Sequence, residues 1–213
     1  LGVHIADVTH YVRPDTFVDN EARHRGTSVY LPGKVIPMLP EALSNNICSL
    51  KEGEDRLTKS VFMTLDRDGN IVKSEIKHSV INVTKRLTYE QASAILTGNA
   101  ATHAPADGEH SDAGKASITV PDEVAEILQS LARLAEKLFK NRLERGALEL
   151  DIPEVSLKLD KRGYVENIVK VERDVSHKLI EECMLMANEA VATFMFEKEM
   201  PLLSRAHPEP EEE

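Results

Sequence analysis

The stretch PGKVIPMLPEALSNNICSL, residues 32–50, restricts the fold more than any other part of the chain. Pro37 and Pro40 each fix φ and remove a backbone donor, so neither a regular helix nor a central strand can run through them. Yet Val35, Ile36, Met38, Leu39, Leu43, Ile47 and Leu50 are apolar. An apolar segment pinned by prolines is expected to be a stiff, packed loop. Just before and into it runs RGTSVYLPG, residues 25–33, which holds Tyr30 among small and turn-forming residues. The chain has 4 Tyr, 5 Phe and no Trp, so a ring outside any periodic apolar segment calls for a flat partner.

Around this stretch the periodicities alternate between strand and helix. Residues 2–8 (GVHIADV) read as a strand, with Val3 and Ile5 alternating with His4 and Ala6. A strand starting so close to Leu1, which is not Met, suggests a chain cut from something longer. A short helix is expected around Asp19–His24. Residues 57–66 and 71–83 read as a hairpin turning at Asp68-Gly69. The same loop does not fit calcium, since its glycine and its final acid are misplaced for an EF-hand. Thr88 and Gln91 form a capping-box pattern ahead of a helix over 89–96. Residues 97–117 contain no large apolar side chain and are expected to be a disordered insertion. A long helix follows, started by Thr119, Pro121 and Asp122, striped by Val124, Ile127, Leu128, Leu131, Leu134, Leu138 and Leu143, and closed by Gly146. A further hairpin spans 155–160 and 164–171, and a last helix about 174–198.

On that last helix, Ile180 taken as the centre of the buried stripe groups Cys183, Ala187, Val191 and Phe194 within roughly 60°. His177, Glu181 and Asn188 then fall along one border, and Glu182 points to water. A carboxylate beside the core must find a partner or a ligand, and a salt bridge to Arg or Lys is the plain alternative.

Charge narrows the partners. The net charge is −10, which argues against a simple nucleic-acid coat. Residues 1–90 balance to zero, so the excess lies in 91–213, part of it in an acidic tail over 209–213 that ends at Glu213. No apolar run approaches the roughly 18–20 residues of a membrane span, which predicts no membrane partner. Cys48 and Cys183 read as reduced thiols, which suits a cytoplasmic location. His4, Asp7 and His10 are evenly spaced, but on a strand Asp7 faces away from both histidines. No Cys-x-x-Cys, nucleophile elbow or phosphate-binding glycine loop is present. Composition and spacing alone therefore lead to an α+β domain: a mixed β-sheet and hairpins packed against long α-helices.

HIADVTHYV, DNEARHRGTSVYLPGKVIPMLPEALSNNICSL, RLTYEQ, ERGAL, HKLIEECMLMAN and RAHPEP together resemble the catalytic RNB domain of the RNase II/RNase R family. Eukaryotic exosome catalytic subunits are similar. The resemblance covers residues 1–210 as one partial RNB domain, broken by 97–117. It implies processive 3′-to-5′ hydrolysis of single-stranded RNA to nucleoside 5′-monophosphates, with Mg2+ activating water. It implies that Tyr30 stacks on the 3′-terminal base and that Tyr89 and Glu181 read the ribose. Leu150 matches a position that is phenylalanine in some bacterial members, so an apolar wall is expected there instead of a second stacking ring.

The resemblance also implies absences. The family's metal-binding aspartates precede the HIADV strand and are expected upstream of Leu1. Its phosphate-acting arginine and glutamate are expected downstream of Glu213. Flanking OB-type RNA-binding domains and the remaining RNB segments are expected as partners. The 213 residues are therefore expected to be an internal fragment with no catalytic residue and no metal ligand of its own. Two alternatives stand beside this reading: a catalytically degenerate RNA-binding module of the same family, and a domain in which ring and carboxylate are merely packed.

Overall fold

The computed structural model describes residues 1–98, 120–148, 154–160, 162–171 and 174–204. Along the chain run β1 (Gly2–Ala6), α1 (Val8–Tyr11), α2 (Phe17–Arg25), β2 (Val29–Leu31), β3 (Lys34–Ile36) and a π-helical segment (Ala42–Ile47). Then follow β4 (Asp55–Leu65), β5 (Ile71–Asn82), α3 (Tyr89–Leu96), α4 (Asp122–Glu144), β6 (Glu154–Leu159), β7 (Val165–Val171) and α5 (Val175–Glu197). This is the expected α+β class. The expected mixed sheet narrows to antiparallel ladders: a β1-β4-β5 sheet and the hairpins β2-β3 and β6-β7. Tight turns cause this within each hairpin, because a short connection can only return a strand antiparallel. The parallel contact among the described residues is an isolated bridge from Glu52 to Val83. The disordered insertion expected over 97–117, apart from Thr97 and Gly98, lies outside the described residues, as does the tail over 209–213 with Glu213.

Strand β4 is the middle strand of the larger sheet. Its ladder with β1 reaches back to Leu1: the Leu1 amino group donates to the Met63 carbonyl at 2.9 Å, and the Met63 amide to the Leu1 carbonyl at 2.8 Å. Leu1 is therefore tied into the sheet, and its side chain packs against the core. Val61 and Met63 of β4 are buried, and Val3 and Ile76 lie opposite Val61 in register. They join Ala135 and Leu138 of α4, and Leu179, Cys183, Met186, Ala187 and Ala190 of α5, in one core. Each large side chain in it is worth about 1.5–3 kcal/mol of burial. The alanines leave room for close approach of helix and sheet.

The β4–β5 turn fits its sequence reading. Asp66 accepts from the amides of Asp68 and Asn70, and Gly69 takes φ +83. A Cβ at Gly69 would lie 3.2 Å from Leu138, so glycine is favoured by both conformation and space. The turn is also tied to α4, where Asn141 donates to the Asp68 carbonyl at 2.7 Å. The predicted box at α3 is present: Thr88 Oγ1 accepts from the Gln91 amide and Gln91 Oε1 from the Thr88 amide. In α4, Pro121 is the N-cap itself, while Thr119 lies outside the described residues.

The sheet also carries a polar cluster where a core would be expected. Thr58 and Ser60 are almost wholly buried. Ser60 Oγ contacts His4 Nδ1 at 2.6 Å and Ser79 Oγ at 2.5 Å, and Ser79 Oγ contacts Thr58 Oγ1 at 2.9 Å. Burial lowers the His4 pKa from its ordinary 6.5, favouring the neutral ring. Ile5, on the apolar side of the alternation, is exposed.

The proline-pinned stretch resolves into pieces. β3 stops at Ile36, directly before Pro37, and the π-helical segment starts after Pro40. Arg25 Nη1 donates to the Pro37 carbonyl and Ser28 Oγ accepts from the Met38 amide, so the loop is fastened to α2 and its exit. It is less packed than expected, since Val35, Ile36 and Ile47 are exposed.

Helix α5 requires a correction. Glu182 is buried, at 4% exposure, and does not point to water. Ile180 is 46% exposed and does not centre the stripe. The buried side runs through Ser176, Leu179, Glu182, Cys183, Met186, Ala187 and Ala190, about 80° round the helix from the expected centre. The cause is chemical: small residues and one paired carboxylate help form the buried side, while the branched Ile180 is left outside.

Two outcomes follow for the intact protein. Gly69→Ala should cost about 1–3 kcal/mol through forced positive φ and the Leu138 contact, read by denaturant unfolding. An unchanged midpoint would contradict the turn geometry. For His4, the unfolded chain binds the proton more readily, so stability is full above about pH 6.5 and falls as pH drops through that value towards the lower folded pKa. His4→Gln should flatten the melting-temperature slope between about pH 7.5 and 5.5. An identical slope would place the loss on other groups.

Candidate functional site

The N-termini of α3 and α5 meet around Asp174. Asp174 caps α5 and accepts from the amides of Ser176 and His177. His177 Nδ1 lies 2.8 Å from Asp174 Oδ1. The Asp174 amide also approaches Nδ1, at 3.5 Å. One nitrogen cannot donate and accept in the same tautomer, and the shorter contact assigns the proton to Nδ1. Burial pushes the Asp174 carboxyl up, but hydrogen bonds from Ser176, His177 and Ser93 outweigh it and hold it well below the usual carboxylate range. The Ser93 bond links α3 to this hub. Ser176 Oγ sits 3.1 Å from the Tyr89 carbonyl and 2.5 Å from Asp174, two acceptors for one proton.

Tyr89, first residue of α3, stacks on His177 with ring centroids 4.0 Å apart and planes 14° from parallel. One face of the phenol is covered, and the residue remains 45% exposed. Glu181 stands one turn beyond His177 on the same side of α5, as i and i+4. It is not set beside the core, as the wheel centred on Ile180 predicts, but on the exposed side.

Arg142 of α4 shows which carboxylate is structural. Its Nη2 lies 2.6 Å and its Nε 3.1 Å from Glu182 Oε1, and Nη2 reaches Glu181 only at 3.5 Å. The salt bridge weighed for Glu181 thus belongs chiefly to Glu182.

Tyr30 is elsewhere. It sits on β2, paired with Val35 across a hairpin that turns at Gly33, and is 78% exposed. Leu150 lies outside the described residues. Cavities of about 630, 810, 390 and 310 Å³ open among the described residues, and none of these is lined by Tyr30, Tyr89 or Glu181. Tyr89 is thus joined to α5 through His177, one turn before Glu181, while Tyr30 lies apart on β2.

The three evenly spaced residues do not share a strand: His4 is on β1, Asp7 is the N-cap residue of α1 and His10 lies in α1, and each has its own partner. His4 joins the hydroxyl cluster, and buried Asp7 binds Thr9 at 2.8 Å and His78 at 3.1 Å. The Thr9 bond is the main cause of a lowered Asp7 pKa. His10 packs edge-on to Tyr11. Among the described residues no group of three His, Cys, Asp or Glu side chains could hold a metal ion. These residues do not fit a magnesium site.

The fold is shared with known proteins. The RNB domain family matches residues 1–213, from Leu1 through Glu213. The chain belongs to that family. Ribonuclease R of Thermotoga maritima is 43% identical over 214 residues, covering 100% of this chain and 28% of the relative. Mycoplasma genitalium RNase R in complex with ribose methylated single-stranded RNA superposes with a TM-score of 0.87 at 30% identity, covering 98% of this chain and 30% of that one. The fold also recurs, at a TM-score of 0.63 and 24% identity, in yeast Ssd1, a pseudonuclease, covering 93% of this chain and 22% of that one. The RNB chain thus spans about 28% of the length of the Thermotoga relative.

Within this RNB domain, sequence reading noted His177 without a role and did not use Asp174 or Arg142. Asp174 and His177 do carry a signal, a capping pattern of two side chains three residues apart. Arg142 carries none, because its partner lies 40 residues away. Breaking the pair by Arg142→Met should destabilise the RNB domain of the intact protein by about 3 kcal/mol, since it strands a buried charge. Arg142→Met with Glu182→Leu should recover most of that in denaturant unfolding. Equal losses in the single and double variants would show that the pair is not what holds the helices.

Proposed function

We propose that this chain is the substrate-reading part of a processive 3′-to-5′ exoribonuclease that hydrolyses single-stranded RNA to nucleoside 5′-monophosphates. The observation that carries the proposal is the half-exposed Tyr89 ring, stacked on His177 one helical turn before the exposed Glu181 of α5. An ionised carboxylate can accept a hydrogen bond from a 2′-OH, the group that separates RNA from DNA. A phenol ring fixed by neighbours can border a sugar without paying ordering entropy at each binding event.

Tyr30 is the proposed stacking platform for the terminal base. Base stacking on an exposed ring tolerates any sequence, as a processive enzyme requires, and is worth about 1–3 kcal/mol. Leu150 is proposed as the apolar wall of the same pocket. Hydrolysis also needs an activated water and a counter-charge for the phosphate, which bound Mg2+ supplies. In this proposal the metal-binding aspartates lie upstream of Leu1 and the phosphate-acting arginine and glutamate downstream of Glu213, in a longer protein that also holds the flanking OB-type domains. No step is routed through the residues described here. The proposed location is the cytoplasm. No helix among the described residues is long and apolar enough to cross a membrane. The second reading, a binding module without chemistry, has one point in its favour: the fold occurs in a pseudonuclease, so fold alone does not specify catalysis.

In the intact protein, Tyr30→Ala should weaken binding to an RNA 3′ end about tenfold with little change in unfolding. Glu181→Ala should reduce the preference for a ribose over a deoxyribose terminus. The 213 residues alone should release no monophosphate from labelled RNA with magnesium. Intact affinity and sugar preference in both variants would end the site assignment, and robust release by the fragment would end the division of labour.

A further inference from the structure

We propose that His177 is a positioning residue, a platform tethered by Asp174 that sets the angle and depth of the Tyr89 ring. The inference deepens the sugar-reading assignment of Tyr89 and rests on it. Four observations carry it. The two rings are nearly parallel at 4.0 Å, so the imidazole covers one face of a phenol that remains 45% exposed. The imidazole is itself fixed, because Nδ1–H donates to Asp174 at 2.8 Å, and turning the ring over breaks that bond. Asp174 stays ionised across neutral pH, held by Ser176, His177 and Ser93 against the effect of burial. Ser176 Oγ of the same turn also lies 3.1 Å from the Tyr89 carbonyl. One helical turn therefore contacts Tyr89 at both its main chain and its ring.

Such a platform acts through Tyr89 and touches no reacting atom. Its loss lets the phenol swing between rotamers, so contacts to the sugar become intermittent. The effect falls on discrimination at the 3′-terminal sugar, more than on general affinity for the strand.

The test compares dissociation constants for two short RNA strands that differ only in a 3′-terminal 2′-OH or 2′-H, with the full-length protein and divalent cations chelated. His177→Gln keeps a side-chain donor but removes the ring. It should lower the ribose preference about two- to tenfold, the range an aromatic pair is worth. His177→Phe keeps a flat ring but lacks the Nδ1–H bond to Asp174, so it should lower the preference, though less than His177→Gln does. Tyr89→Ala sets the floor, and adding His177→Gln to it should lower the preference no further. If Tyr89→Ala lowers the preference and His177→Gln leaves it untouched, the platform is overturned while the sugar-reading assignment stands. If Tyr89→Ala itself changes nothing, both fall. If His177→Gln does not fold, His177→Phe decides alone: a lowered preference supports the tethered platform, and an unchanged one overturns it.

Discussion

The rotation of α5 about its own axis depends on one buried ion pair. A carboxylate at 4% exposure has almost no water, so Glu182 is tolerable only where a cation meets it in fixed geometry. Arg142 meets it with Nε and Nη2 from the neighbouring helix. A turn of α5 by one residue, about 100°, would put Cys183 against the guanidinium and carry Glu182 away. The opposite turn would offer Glu181 instead, but would place Lys178 and Glu189 where Leu179 and Ala190 are buried. Such a pair adds little net stability over an apolar one, but it selects a single register. The alanines at 135, 187 and 190 would by themselves permit several. Once Glu182 faces inward, the residue before it, Glu181, is turned outward, and His177 lies on the same side.

The second consequence is at the helix start. α3 is short, and a two-turn helix is marginal without tertiary support. Its support is the first turn of α5: Ser93 bonds to Asp174, the Tyr89 carbonyl sits 3.1 Å from Ser176 Oγ, and the Tyr89 ring stacks on His177. The cap of one helix is thus the dock of another. The Ser176 and His177 contacts all converge on Asp174 Oδ1, so one carboxylate oxygen is the focus of the α5 cap.

Much of the fold was readable from local pattern. The β4–β5 hairpin, the cap of α3, the extent of α4 and the β6–β7 hairpin each depend on residues within a few positions of one another, where periodicity and turn chemistry act. What failed was orientation. The stripe on α5 looks centred on Ile180 because hydrophobicity is the visible signal, whereas the buried side is defined by small residues and by Glu182, whose burial depends on Arg142 far away in sequence. The same limit hid the hydroxyl cluster of Thr58, Ser60 and Ser79, since a buried serine is legible only through its partners. Site identity fared differently. Tyr30, Tyr89 and Glu181 were named from a family resemblance, and periodicity alone would have assigned Glu181 to the core edge.

The two tyrosines differ in kind, and this bears on how an end-reading site would work. Tyr89 is stacked and tethered, so little ordering remains to be done when a ligand arrives. Tyr30 stands on an isolated two-stranded hairpin, a structure that is marginal in water by itself, although Arg25 and Ser28 fasten the chain just after it. Most of its surface is bare. A platform of that sort gains its orientation from whatever covers the hairpin, whether a base or another part of a longer chain. In the proposed site, the sugar-facing half would be built before binding and the base-facing half completed by it. That order would suit a strand that is regripped at every step, with a rigid part checking chemical identity and an adjustable part accepting any base.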